Sequence, residues 1–361
     1  MDASVQHCRI MAHAKGTGRS ADLPLTAHDP LGVALIGAGL MGAFHAGTLA
    51  SLPGVALRWV VDADLDRAER ASLAAAGAAA GSDATQAIAD ERVQAVVIAS
   101  PAATHGALIE AAASAGKAVF CEKPLGTASA EALRVAERVR EAGIPFQIGF
   151  QRRFDPGVAR LLEHVREGAL GRVETFRSVT ADPVGPSFEA MRDAAGIFHD
   201  TLSHDLDLAL AVGGPIDEIR ALGAAMTEPR FAQLGKPDTT LITLRFASGA
   251  LGVIENRLRT GYGYETVLEV GGSEGKGVVR ADELDRLTLY RKGRIERAHV
   301  PWFLERFAEA YRAELAAFVT ALRAGSQPAP GLDEGVAVLL ACEAAERSYR
   351  SGEPTAPGAQ G

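Results

Sequence analysis

The chain has 361 residues, 47% of them apolar and 23% charged, with a formal net charge of −8. That length is a prior for two domains with a sizeable core, and the acidic balance gives no electrostatic reason to expect nucleic acid or an anionic membrane as a partner. No stretch approaches the roughly 18 consecutive apolar residues of a membrane span. The three cysteines, Cys8, Cys121 and Cys342, are too few and too scattered for a disulfide framework or a zinc set, and they fit a reducing, cytoplasmic setting.

Residues 1–30 carry Arg9, Lys15, Arg19 and scattered Gly and Pro without the apolar centre of a secretory signal. They read as a disordered leader, and Met11 offers an alternative start. From 31 to 150 short apolar runs alternate with Ala-rich helical stretches. The runs are Val33–Ile36, Val55–Val61, Val93–Ala99, Ala118–Cys121 and Phe146–Phe150, each the length of a strand buried on both faces. Helices are expected near 41–52, 64–77, 103–115 and 129–142, with Gly77, Gly116 and Gly143 just past three of them, where a left-handed cap wants Gly. This rhythm predicts an α/β domain built on a doubly wound parallel sheet.

After Phe150 the rhythm changes. Helices are expected at 156–167 and 197–212, and strands at 173–179, 216–222, 239–246, 250–257, 266–270, 277–280 and 287–290. Consecutive strands joined by turns such as Ser248-Gly249 predict an antiparallel sheet, hence an α+β second domain over 151–350. Two closing helices, 303–324 and 333–350, are candidates to pack back on the first domain. The Pro- and Gly-containing tail, 351–361, reads as disordered.

Gly37-Ala38-Gly39-Leu40-Met41-Gly42 is a full G-x-G-x-x-G between a buried strand and a helix. The first Gly permits the tight turn, the second lets backbone approach a pyrophosphate, and the third lets helix and strand pack closely. Helix N–H groups then face the phosphates. Asp62, at the end of the second strand and about twenty residues on, is placed to bond the adenosine ribose. Its charge repels a 2′-phosphate, so NAD is favoured over NADP. Gly275-Lys276 superficially resembles a P-loop end, but Val270 and Gly277 break that motif, and the stretch reads as a hairpin turn.

Lys123 follows the strand Ala118–Cys121, at the sheet edge where doubly wound folds bind ligands. Pro124 restricts the backbone before it. Asp200, His204 and Asp207 recur at i, i+4 and i+7, which on a helix is one polar face among leucines. A metal reading of His199 and His204 fails on geometry, since five residues put them on different faces. A base, a cationic partner for an alkoxide and a nicotinamide suffice to oxidise an alcohol. These residues therefore point to a nicotinamide-dependent oxidoreductase of a polyol or sugar.

The chain resembles the Gfo/Idh/MocA oxidoreductases across residues 31–350. The resemblance rests on the glycine loop with His45 after it, Ser100-Pro101 with His105 downstream, Glu122-Lys123-Pro124, and the Asp200 to His204 stretch. It is most similar to their inositol dehydrogenases through Gly149–Asp155, Ala181-Asp182-Pro183, Gly196–Asp207 and Tyr262–Glu265. The resemblance implies an N-terminal Rossmann domain and an open, largely antiparallel C-terminal sheet, through which members form homo-dimers or homo-tetramers. It also implies that Lys123, Asp200 and His204 are catalytic, and that Arg153, Asp207 and Tyr262 lie near the cyclitol together with that trio. Gly37, Gly39, Leu40, Met41, Gly42, Asp62, Ser100, Pro101, His105, Glu122 and Lys123 would line the NAD site. A cis Lys123–Pro124 peptide is expected, and no metal. Ala195, Ser100 and Pro183-Val184-Gly185-Pro186 depart from the common pattern without touching the catalytic trio. The rival readings are an aldose dehydrogenase, a non-catalytic NAD or sugar sensor, and an enzyme that works through tightly held NAD.

Overall fold

The computed structural model describes residues 29–75, 77–280 and 283–359, so the leader expected over 1–30 falls almost wholly outside it. The chain divides into two compact units. One runs to Phe150 and takes up Tyr311–Leu339 again; the other holds Gln151–Ala310 and the chain from Leu340 onward.

The first unit is a six-stranded sheet with β1 (Leu31–Ile36), β2 (Val55–Val61), β3 (Ala79–Gly81), β4 (Ala95–Ile98), β5 (Ala118–Glu122) and β6 (Phe146–Gly149) in the order β3-β2-β1-β4-β5-β6. Every pairing is parallel. Five helices intervene: α1 (Leu40–Ser51), α2 (Leu65–Ala74), α3 (Ala84–Ala89), α4 (His105–Ser114) and α5 (Ser129–Ala142). β3 and α3 are additions to the elements expected from sequence. At three and six residues they are too short to impose a period on an Ala-rich stretch. β1, β4 and β5 are buried throughout, as continuous apolar runs in a parallel sheet require. Leu315, Phe318 and Leu322, from the segment that returns to this unit, complete the core with Leu35, Val97 and Phe120.

The turn from β1 into α1 depends on two glycines. Gly37 has φ +99°, and a Cβ there would lie 2.5 Å from the Ala99–Ser100 backbone. A Cβ on Gly42 would lie 1.8 Å from the Gly37 carbonyl oxygen. Gly39 differs, for a Cβ there meets nothing within 4 Å.

In the second unit, β7 (Val173–Ala181), β8 (Ile216–Ala224), β9 (Thr239–Phe246), β10 (Leu251–Arg257), β11 (Glu265–Gly272) and β12 (Lys276–Arg280) form a sheet in the order β12-β11-β7-β10-β9-β8. Its pairings are antiparallel except β7 with β10, which is parallel. The Gly275-Lys276 stretch is the hairpin between β11 and β12. The helices α6 (Pro156–Arg166), α7 (Phe188–Asp193) and α8 (Leu202–Gly213) belong to this unit, and α8 packs on β7 and β10. A separate hairpin, β13 (Glu283–Arg291) and β14 (Arg294–His299), precedes the long helices α9 (Phe303–Arg323) and α10 (Leu332–Ser351).

Two expectations are corrected. The helix expected from 197 begins at Leu202, and 197–201 is a turn. The tail expected to be disordered is tied down as far as it is described. Thr355 exchanges backbone hydrogen bonds of 2.9 and 2.8 Å with Ile219 on β8, and its hydroxyl donates to the Ala344 carbonyl at 2.6 Å. An edge strand offers unpaired N–H and C=O groups, and one bridging residue answers them without leaving a periodic signal in sequence.

Gly42→Ala should destabilise the protein by about 1–3 kcal/mol, because a backbone oxygen occupies the place of the new methyl. Gly39→Ala should leave the thermal midpoint near wild type. Thermal unfolding of the two variants side by side checks the contrast.

Candidate functional site

Strand order reverses between β1 and β4, and in open α/β sheets the ligand crevice lies at the carboxyl ends of the strands there. Gly37 and Ser100 leave those two ends in direct backbone proximity. α1 starts at Leu40 with Gly39 as its N-cap, and no side chain caps it. Its first-turn amides, including Leu40, Met41 and Gly42, therefore have a helix N-terminus to offer to an anion. The open space over Gly39 is the cradle that a pyrophosphate needs, and that a side chain would fill. These residues fit a bound dinucleotide.

Asp62 stands just past β2, half-buried. Its Oδ2 accepts from the Ala38 amide at 2.7 Å and its Oδ1 from the Asp64 amide at 2.9 Å. The residue expected to read the ribose thus also holds the glycine loop, and each carboxylate oxygen keeps lone-pair capacity for a further donor. The Ser100 hydroxyl lies 2.6 Å from that of Thr104, while Pro101 is exposed and precedes a single 3₁₀ turn.

Two residues expected to line the cofactor site sit deeper. His105 is 1% exposed, with Nδ1 2.8 Å from the Pro124 carbonyl oxygen and Nε2 2.9 Å from that of Ser100. Glu122, the last residue of β5, is buried with its Oε1 2.6 Å from His45 Nε2 on α1. Next to Glu122, Lys123 is half-buried, and the Lys123–Pro124 peptide is cis, as the resemblance implied. The preceding Cys121 is fully enclosed, and burial pushes its thiol well above the usual range, which makes it an inert core residue.

In the second unit His204 is half-buried near the start of α8, and Asp200 is exposed in the turn before it. The turn stays close to helical: the Asp200 amide donates to Gly196 O, and the Ser203 hydroxyl donates to Asp200 O at 2.7 Å. Asp207 is 1% exposed and takes Arg153 in a two-pronged ion pair, with Nε at 2.9 Å and Nη2 at 2.6 Å. Asp207 therefore acts on its surroundings through Arg153, whose side chain is 19% exposed. Tyr262 is exposed. Its hydroxyl donates to Glu265 Oε2 at 2.5 Å and accepts from Arg257 Nη2 at 2.8 Å. Burial and the Glu265 carboxylate raise its pKa, so it stays a phenol. His199, the rival metal ligand, pairs with Glu346 at 3.0 Å, and this contact with His199 holds the Glu346 carboxyl down to about 2. Among the described residues no group of three or more His, Cys, Asp or Glu is placed to hold a metal ion.

The sequence reading missed Asp205 and Arg152. Asp205 is fully buried. It accepts from Arg152 Nη1 at 3.1 Å, the Ser178 hydroxyl at 2.5 Å, the Thr180 hydroxyl at 2.9 Å and Asn256 Nδ2 at 2.8 Å. Thr180 and Asn256 face each other across the parallel β7–β10 pair. Arg152 also reaches the Tyr264 hydroxyl at 3.4 Å, and burial pushes that phenol up to about 12. The available signal was positional, since Asp205 shares the apolar face of Leu202, Leu206 and Ala209, where a charge needs partners. This network pins the first turn of α8, and with it the backbone that carries His204.

Comparison with known proteins places these features in a family. Residues 31–150 match the model of the Gfo/Idh/MocA oxidoreductase family, NAD-binding Rossmann fold, and residues 158–278 match the model of the Gfo/Idh/MocA C-terminal domain. The chain is 34% identical over 320 residues to a myo-inositol 2-dehydrogenase of Thermotoga maritima, a match that covers 88% of this chain and 95% of that protein. It is 32% identical over 323 residues to the scyllo-inositol 2-dehydrogenase (NAD(+)) of Bacillus subtilis, covering 89% and 94%. The crystal structure of a probable dehydrogenase from Thermotoga maritima matches with a TM-score of 0.87 at 33% identity, covering 90% of this chain and 98% of that one.

Asp205→Ala should cost about 3–5 kcal/mol, the usual penalty for stranding the partner of a buried ion pair. Urea unfolding monitored by circular dichroism measures it. A loss below ~1 kcal/mol would show that the network is not what holds α8.

Proposed function

The chain belongs to the Gfo/Idh/MocA oxidoreductases, an NAD-binding family, and on that premise we propose that it oxidises a secondary hydroxyl of a cyclitol, myo-inositol or an isomer, to the ketone. The observation that carries the reading is Lys123 at the carboxyl end of β5, in the sheet whose reversal carries the glycine loop. The matches to inositol dehydrogenases over nearly nine-tenths of the chain supply the substrate class.

Bound NAD supplies the hydride acceptor at its nicotinamide. Lys123, as an ammonium, stabilises the negative charge that develops on the carbinol oxygen. His204 takes up the hydroxyl proton, a task suited to an imidazole near neutral pH. Asp200, four residues before His204, bonds a substrate hydroxyl or orients the ring. Arg153, held in one geometry by Asp207, and Tyr262 bond the remaining hydroxyls; a neutral polyol has only hydrogen bonds by which to be recognised. Asp62 bonds the adenosine ribose and repels a 2′-phosphate, which favours NAD over NADP.

We also infer that a second copy covers the outer face of the β7–β12 sheet. Leu222, Leu241, Leu251 and Val253 are 63%, 51%, 52% and 37% exposed on neighbouring strands of it, and Leu222 and Leu241 are cross-strand partners. No helix among the described residues is long and apolar enough to cross a membrane.

NADH formation by the purified protein with a panel of cyclitols and aldoses, run in parallel with NADP, tests the reading. Turnover is expected with myo-inositol or an isomer, faster with NAD, and lost in Lys123→Ala. His204→Ala should lower kcat by about 10²–10⁴-fold while NAD affinity holds. Silence across the panel despite NAD binding would favour the sensor reading, and turnover confined to aldoses would move the substrate class. Light scattering on the same sample should give a dimer or tetramer.

A further inference from the structure

The residues on either side of Lys123 are each held by a buried histidine, Glu122 through its side-chain carboxylate and Pro124 through its carbonyl, and the two histidines come from different helices. On the amino side, Glu122 meets His45 of α1, whose first turn is the end of the glycine loop. On the carboxyl side, the Pro124 carbonyl meets His105 at the start of α4, and the other nitrogen of that ring reaches the Ser100 carbonyl beyond β4. We propose that His45 and His105 form a clamp that fixes Lys123, tying its turn to the glycine loop on one side and to the Ser100–Pro101 loop on the other. The proposal rests on Lys123 being the charged partner in the reaction.

The surroundings argue for positioning and against direct contact with ligand. His45 is fully buried, ringed by the edges of Phe44, Phe120 and Tyr311 at centroid distances of 6.3, 5.9 and 5.9 Å. Its Nδ1 has no hydrogen-bond partner among the described residues, so its polar contact is the Nε2–H donated to the Glu122 carboxylate. Glu122 in turn is fitted to this use. It pairs with Gly149 across β5 and β6, and its Oε2 would lie 3.1 Å from a Cβ at 149. A side chain there would crowd the carboxylate that His45 holds.

His105 offers the complementary grip. Both of its contacts are to carbonyl oxygens, which only accept. A neutral imidazole donates to one of them and a protonated one to both. When protonated the ring ties together two strand ends, β4 and β5, that backbone pairing alone fixes only as far as Ile98 and Cys121, and when neutral it bonds one of them. Lys123 is thereby held against two loops that the dinucleotide approaches, the geometry from which a long flexible ammonium gains most.

The test separates positioning from folding and from failure of the underlying reading. His45→Phe and His105→Phe keep bulk and remove the donor, whereas His45→Gln and His105→Gln restore a side-chain N–H. With the cyclitol and NAD, each Phe variant should lose roughly 10- to 100-fold in kcat, with NADH affinity by fluorescence close to wild type. The pH profile of kcat should shift with it, and each Gln variant should recover most of the rate. If the Phe variants do not fold, Asn at the same positions, with a donor of shorter reach, is used in their place with the same expected loss. Folded variants with unchanged kcat and pH profile would overturn the clamp. So would a fall in kcat that merely follows NADH affinity and thermal midpoint and is not recovered by Gln. Lys123→Ala is measured alongside. Full activity in that variant would remove Lys123 from the chemistry, whatever the histidine variants show.

Discussion

Two backbones that leave adjacent parallel strands touch where strand order reverses, and much of the first unit follows from that contact. Gly37 lies against the Ala99–Ser100 peptide, and Gly42 lies against the Gly37 carbonyl. No side chain fits either place. The closeness brings α1 down with its N-terminus open, keeps the space over Gly39 clear, and sets Asp62 beside the loop it bonds through Ala38. A helix terminus with uncapped amides is a standing cost in an apo fold; a bound pyrophosphate removes it.

The second unit solves a different problem. The helix proposed to carry the proton acceptor needs a polar face, yet α8 is buried over most of its length. The structure divides the charges by depth. Asp205 is buried and fully partnered by Arg152, Ser178, Thr180 and Asn256, so it anchors the helix. Asp207 is buried but spends its charge on Arg153. His204 and Asp200 are left nearer the surface, where proton exchange is possible. Neighbouring carboxylates thus differ in what they hold, according to what lies opposite each.

The elements that position the site were legible where the sequence carries period and punctuation. Strands buried on both faces gave unbroken apolar runs, and the G-x-G-x-x-G with Asp62 after the second strand announced the loop. Other features were not legible. β3 and α3 are too short to carry a period. The helix start at Leu202 was misplaced because the turn over 197–201 is already near-helical, so the spacing of Asp200 and His204 looks continuous. The roles of His45, His105 and Glu122 depend on contacts 77 and 19 residues apart in the chain, which local pattern cannot show. Arg152 and Asp205 are likewise 53 residues apart and declared only by a charge on an apolar face.

The proposed reaction moves a hydride from a cyclitol carbon to NAD while residues of this chain handle the proton. It is tested most directly with a cyclitol deuterated at the reacting carbon. After turnover with unlabelled NAD, the reduced cofactor should carry the deuterium on its nicotinamide ring, with none lost to solvent. Unlabelled NADH, or deuterium released to water, would contradict direct transfer and the account built on it.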